Sequence, residues 1–204
     1  MLPSGEQSVS QDGVGTGHSV PCGRILALAI VSACSAVASA PDGKGRPSVT
    51  TAEHLDDKHF LGLAIDQARI GWEEGGVPIG AALVTNDGEV LAVGRNRRVQ
   101  LGSAIRHGET DCIERAGRLP ASVYRTSVLY TTLSPCFMCA GTAVLYDIPR
   151  IVVGENRTFE ASESWLRSRG VVVDVLDDPT CKQLMDRMLD ERAEIWAEDI
   201  GEEA

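Results

Sequence analysis

From Ala52 onward the apolar positions recur in runs that switch between helical and strand spacing. Phe60, Leu61, Ala64, Ile65, Ala68 and Trp72 share one helical face, which Gly75-Gly76 ends. The short apolar stretch VPIGAALV predicts a strand, Asn86-Asp87-Gly88 a hairpin turn, and EVLAVGRN the returning strand. HGETDCIERAGR predicts a helix closed by Gly117, followed by a strand at SVLYTTL and a helix at CFMCAGTAVLYD. RIVVGE and VVVDVL predict two more strands with a short helix, SESWLRSRG, between them. A last helix opens at Asp178-Pro179, a cap followed by a first-turn proline. Its apolar face carries Cys181, Leu184, Met185, Met188, Leu189 and Trp196. A hairpin followed by strand–helix units calls for parallel crossovers among the later strands. The expected fold is a three-layer α/β/α sandwich around a five-stranded mixed sheet.

Residues 1–50 break this pattern, and the expected organisation is an N-terminal extension over 1–50 and one domain over 51–204. MLPSGEQSVSQDGVGTGHS has no apolar period and reads as disordered. After Arg24, the run ILALAIVSACSAVASA resembles a signal-peptide core with a small-residue cleavage site at Ala38-Ser39-Ala40. Val31-Ser32-Ala33-Cys34 also resembles a lipoprotein box. The run is too short and too rich in Ser and Ala to span a membrane. A long leader with a single Arg, and Pro41 directly after the cleavage site, argue against export. The expectation is therefore a cytoplasmic protein whose folded domain makes no membrane contact.

Charge narrows the partners. The chain carries 19 Lys and Arg against 29 Asp and Glu, a net charge of −10, so its surface repels phosphates and argues against nucleic acid. Its six cysteines, at 22, 34, 112, 136, 139 and 181, are too few and too irregular for a disulfide framework. Only Cys136 and Cys139 are spaced for joint work.

Ser134 is a helix-cap residue type and Pro135 a first-turn one, which places Cys136 and Cys139 in the opening turn of a helix. A separation of three puts both sulfurs on one face, and a helix N-terminus biases both thiols towards thiolates. Such a pair suits Zn2+, but it also suits a thioredoxin-like redox couple or two core residues. The third ligand must come from elsewhere. His18 lies in the leader, and His54 and His59 flank the first helix, whereas His107 opens a helix and Glu109 follows it by two residues. Residues two apart on a helix face different ways, so His107 can bind metal while Glu109 reaches a neighbouring water or substrate. Three protein ligands with an open fourth position define a catalytic zinc site. Zinc brings the pKa of its water to about 7, and Glu109 can take that proton to a leaving group. His-x-Glu with Pro-Cys-x-x-Cys is the zinc deaminase signature.

With these motifs the chain resembles the cytidine deaminase superfamily, and more closely the small cytosine deaminases of the fungal type. The resemblance runs from about Asp56 to Glu202 and rests on EEGGVPIGAAL, GRNRRVQLGSAIRHGE, LYTTLSPCFMCAG, IPRIVVGENRTF and DERAEIWAEDIGE. It implies zinc on His107, Cys136 and Cys139, with Glu109 as proton shuttle. It implies a pocket in which Asn96 and Asp199 bond the pyrimidine ring, Phe159 and Trp196 form aromatic walls, and Gly108, Leu133 and Ile79 line the remainder. The implied reaction is hydroxide attack at C4 of free cytosine, giving uracil and ammonia, in a homodimer. On their own, Asn96 reads as a turn residue, Phe159 and Trp196 as core, and Asp199 as a solvated acid near the chain end.

Three departures put the substrate in question. Phe137 stands between the cysteines where the fungal pattern has an acid, Ala197 replaces a bulky aromatic, and Asp111 follows Glu109 by two. Asp111 reads as a solvated or capping acid, with a place at the dimer face or the pocket as alternatives. Guanine, creatinine or cytidine remain alternative substrates, and a non-catalytic zinc or redox protein is the rival outside the class. A tRNA adenosine deaminase shares the metal motifs, but the acidic charge and the lack of a basic C-terminal helix argue against it.

Overall fold

The computed structural model describes residues 55–203. The expected N-terminal extension, with its signal-like run, His18, Cys22 and Cys34, lies outside the described residues, as does His54. Helix α1 (Asp57–Glu73) leads into the hairpin of β1 (Gly80–Thr85) and β2 (Val90–Arg95). Short α2 (Arg98–Leu101), α3 (Gly108–Ala116) and short α4 (Ala121–Tyr124) precede β3 (Ser127–Leu133) and α5 (Phe137–Leu145). Then follow β4 (Arg150–Glu155), α6 (Glu163–Ser168), β5 (Val172–Val175), α7 (Pro179–Glu191) and α8 (Ala193–Asp199).

The strands form one sheet in the order β2-β1-β3-β4-β5. β1 pairs antiparallel with β2 and β3, while β3, β4 and β5 run parallel, which is the mixed sheet the sequence predicts. Both faces are covered. Phe60, Leu61, Ala64 and Ile65 of α1 and Cys181 of α7 pack on Ala82, Val84, Tyr130 and Val152. On the other face Cys112 and Ile113 of α3, Ala140 and Ala143 of α5 and Leu166 of α6 cover Ala81, Leu83, Leu129 and Ile151. Side chains as buried as Leu61, Leu83 and Ile151 each contribute about 1.5–3 kcal/mol through removal from water.

Local chemistry sets the register of the layers. The Asp56 carboxylate caps α1 by accepting from the His59 N–H at 3.1 Å. A Cβ at Gly80 would stand 2.0 Å from the Ala64 carbonyl oxygen, so α1 rests directly on β1 only because that position has no side chain. Arg150 on β4 donates to both oxygens of Asp57 at 2.9 and 2.7 Å and to Asp174 of β5 at 2.8 Å. These bonds tie the start of α1 to the parallel strands.

Two expectations need correction. The final helix is not continuous: at Arg192 the backbone turns to φ −146°, ψ 39°, separating α7 from α8. The Arg192 guanidinium lies 3.5 Å from the Trp72 ring centroid and donates to the carbonyls of Trp72 (3.0 Å) and Gly76 (3.1 Å). That tertiary anchor overrides helical continuity, and Leu189, expected on the apolar face, is exposed. Helix α5 also begins later than Ser134-Pro135 implies. Its N-cap is Cys136, whose carbonyl accepts from the Ala140 N–H at 2.9 Å, and Ser134 Oγ bonds none of the helix N–H groups.

Candidate active site

The site lies at the C-terminal end of β3, where the chain leaves Leu133 for α5 and where open α/β sheets bind ligands. Two helix starts meet there. His107 is the N-cap of α3 (φ −70°, ψ 169°) and Cys136 that of α5 (φ −69°, ψ 171°). Both are extended, and each carbonyl accepts the first bond of its helix, from Asp111 and Ala140 respectively, at 2.9 Å. Two positive helix ends therefore face one point, each worth about 0.3–1 kcal/mol to an anion held there.

His107, Cys136 and Cys139 present donor atoms all within 4.8 Å of one another. Cys136 Sγ is 3.6 Å from Cys139 Sγ and 3.6 Å from His107 Nδ1. Tetrahedral zinc with bonds of roughly 2.3 Å to sulfur and 2.0–2.1 Å to nitrogen spaces its ligands by about 3.8 Å (S to S) and about 3.6 Å (S to N). The two separations from Cys136 match those of tetrahedral zinc, and the donor set fits one metal ion within its 4.8 Å span. His107 Nε2 lies 3.9 Å from Asp199 Oδ2, within charge range but beyond hydrogen-bond distance.

The thiols do not behave as the matched pair the sequence suggests. The Cys139 thiol bonds to Cys136 and, with His107, brings Cys136 down to about 4 against the opposing effect of burial. That same bond, together with burial, holds Cys139 well above the usual thiol range. One negative charge is thus stable at this point, and a divalent cation between the sulfurs is what removes the second proton.

Glu109 sits one helical step inside, only 3% exposed. Burial raises its pKa, the Cys136 charge adds to this, and His107 opposes it. A carboxyl held above its ordinary range beside a metal point is suited to accept and return a proton near neutral pH. His107 and Glu109 do reach the same cavity, because His107, as an extended N-cap, points differently from a residue inside the helix.

That cavity is small, about 20 Å³, room for about one water. Ile79, Leu133, Ser134, Phe159, Trp196, Asp199 and Ile200 line it with His107, Glu109 and Cys136. Phe159 meets Trp196 edge-to-face with ring centroids 5.8 Å apart.

The predicted residues divide by placement. Ile79, Leu133, Phe159, Trp196 and Asp199 line the cavity with His107, Glu109 and Cys136. Gly108 lies behind, where an added Cβ would meet the Ile79 carbonyl oxygen at 3.1 Å. Asn96 is fully buried behind Asp199: its Nδ2 donates to Asp199 Oδ1 at 2.8 Å and its Oδ1 accepts from the Arg98 N–H at 3.1 Å. Phe137 is 60% exposed against Trp165 and is not among the cavity-lining residues. Asp111 is not solvated; it is fully buried.

Three contributors went unnoticed in the sequence. Ile200 lines the cavity and was visible only as part of the C-terminal EDIGE string. Ser134 lines it too, with a buried Oγ that bonds no other described residue. Arg98 donates to Asp199 Oδ1 at 3.2 Å and to the Glu198 carbonyl at 3.0 Å. With Asn96 on the same oxygen, Asp199 keeps Oδ2 for the cavity side.

Residues 55–155 match the family described as the cytidine and deoxycytidylate deaminase zinc-binding region. The chain is also 47% identical over 148 residues to the cytosine deaminase of Candida albicans, covering 72% of this chain and 99% of that protein. The chain belongs to the cytidine deaminase family of zinc enzymes. Within the family it is 39% identical over 99 residues to a Bacillus subtilis tRNA-specific adenosine deaminase, covering 48% of this chain and 61% of that protein. A solved guanine deaminase from Nitrosomonas europaea superimposes with a TM-score of 0.54 at 23% identity, over 65% of this chain and 84% of that one, and shares the fold.

Proposed function

We propose that the protein hydrolyses free cytosine to uracil and ammonia with zinc held by His107, Cys136 and Cys139. The observation that carries this reading is the 47% identity that spans 99% of the Candida albicans cytosine deaminase. The tRNA deaminase match covers only 61% of its protein, and the net charge of −10 disfavours an RNA partner.

Zinc bound there supplies an acidified water, with a pKa brought to about 7. Glu109 would accept one proton from the attacking water and pass it to a ring nitrogen, and would then carry the second proton of that water to the departing amino group. One water is consumed and one ammonia released, with Glu109 unchanged at the end. Asp199, steadied by Asn96 and Arg98, offers Oδ2 to a ring N–H. Phe159 and Trp196 stack around the ring and exclude water, which strengthens the polar contacts inside.

The domain over 51–204 acts as a homodimer, by its likeness to the family, and works in the cytoplasm. The four cysteines among the described residues are free, which fits a reducing compartment. No helix among the described residues is long and apolar enough to cross a membrane.

The test is ammonia release from cytosine, 5-fluorocytosine, cytidine, guanine, adenine and creatinine by the zinc-loaded protein. Cytosine and 5-fluorocytosine are the expected substrates. Release from another ring with none from cytosine overturns the substrate and leaves the reaction class. Asp199→Ala is expected to raise KM, and unchanged kinetics on the best substrate would remove Asp199 from ring binding.

A further inference from the structure

The chemistry above uses neither Asp111 nor the arginines around it. Its carboxylate is fully buried. Oδ1 accepts from Arg97 Nε at 2.9 Å and Arg106 Nη1 at 3.3 Å. Oδ2 accepts from Arg115 Nε at 2.9 Å and from the backbone N–H of Arg95 at 3.2 Å. Arg106 also donates to Glu114 at 2.8 Å.

Arg97 and Arg106 are the two ends of one loop, closed by the Arg97 N–H on the Arg106 carbonyl at 2.9 Å. Asn96 precedes the first end and His107 follows the second. The loop base is therefore framed by the residue that braces Asp199 and the residue that binds metal. Close packing brings Asp111 beneath it: a Cβ at Gly94 would stand 2.3 Å from the Cys112 backbone nitrogen, so α3 presses directly on β2. Two guanidiniums aimed at one point repel each other unless an anion stands between them. Arg115 and the Arg95 N–H fix that anion from the helix and strand side.

We propose that Asp111 is a positioning residue: by gathering Arg97 and Arg106 it closes the base of loop 97–106 and sets Asn96 and His107 at their spacing. The inference rests on the deaminase reading only for the substrate used to read activity. A cluster that merely stabilised the domain would tie helix to sheet without converging on both ends of the loop that frames the site.

The test uses the full chain loaded with zinc and carrying Asp111→Asn, which keeps the side-chain shape but removes its charge. Amide hydrogen exchange at Arg97 is expected to speed up at least about tenfold, equivalent to about 1.4 kcal/mol of local stability. Amides of β3 and β4 should exchange as before. Zinc should be lost faster to a chelator, and KM for the substrate should rise. Unchanged exchange at Arg97, or equal acceleration across the sheet, overturns the proposal. If Asp111→Asn fails to fold, Arg97→Met and Arg106→Met decide the matter, because each removes one arm and leaves Asp111 paired with Arg115. Unchanged exchange at the loop base in both overturns it as well. Exchange and zinc retention are read without substrate, so a wrong substrate assignment leaves this test standing.

Discussion

Arg192 is where tertiary contact departs most from helical pattern, and replacing it with Met tests what that contact does. The guanidinium stacks on Trp72 and bonds two carbonyls at the end of α1, fixing the corner from which α8 carries Trp196 and Asp199 to the cavity. Met keeps the unbranched stem against the indole but removes both hydrogen bonds and the cation. Hydrogen bonds from a charged donor contribute about 1.5–3 kcal/mol each, and a half-exposed stacked cation about 0.5–1 kcal/mol. Arg192 is only half-buried, so the lower ends apply and the expected cost is about 3.5 kcal/mol. At 2–4 °C per kcal/mol for a domain of this size, Tm should fall by about 7–14 °C. Urea unfolding should give a lower midpoint at an unchanged slope. Because α8 holds Trp196 and Asp199, KM should rise more than kcat falls, while zinc content stays whole. Unchanged Tm together with unchanged KM would refute the reasoning, since the corner would then be held by something other than Arg192.

Glu109→Gln should retain zinc by metal analysis yet lower kcat by about 10²- to 10⁴-fold, the usual worth of a positioned acid–base group; normal turnover would remove Glu109 from the mechanism. Stripping zinc with a chelator should lower Tm, and zinc at 100 times Kd should restore about 2.7 kcal/mol. Cys136→Ser and Cys139→Ser should each blunt that gain, and a full gain in either would contradict the ligand set. At Asp57, burial raises the carboxyl pKa, but hydrogen bonds from Arg150 and Tyr130 and the Arg150 charge outweigh it and leave it lowered. Its folded pKa thus lies below the unfolded value, so its contribution is whole above about pH 4 and is lost as pH falls through the folded pKa. Asp57→Asn should flatten that part of the acid unfolding curve, and an unchanged curve would show that the pairing does not stabilise the fold.

The first helix and the buried strands were legible because burial follows the element: a period of 3.6 along α1, and continuous runs along β1 and β3. The zinc ligands were legible for a related reason. Cys-x-x-Cys and His-x-Glu are local, each set by the first turn of one helix, so spacing alone exposes them. Glu109 belongs with them.

Asp199 lies about 100 positions from Asn96 and Arg98 in the chain, and no local period joins it to them. Only the folded chain shows that Asn96 holds Asp199 from behind while Arg98 braces the same oxygen. Phe137 stood out among the departures because it sits between two ligands. Yet a residue next to Cys136 on a helix faces away from it, and Phe137 is exposed. Asp111 looked solvated because an acid two places past the helix start is usually a capping or surface residue. Its burial needed Arg97, Arg106 and Arg115 to converge from two segments. The sequence by itself determined the sheet and brought out His107, Cys136, Cys139 and Glu109 as candidates, which depend on neighbours within one turn or one strand. The tertiary structure alone decided the corner at Arg192, the bracing of Asp199 and the Asp111 clamp. There the competing free energies come from charges and carbonyls brought together across the fold, and backbone periodicity carries no record of them.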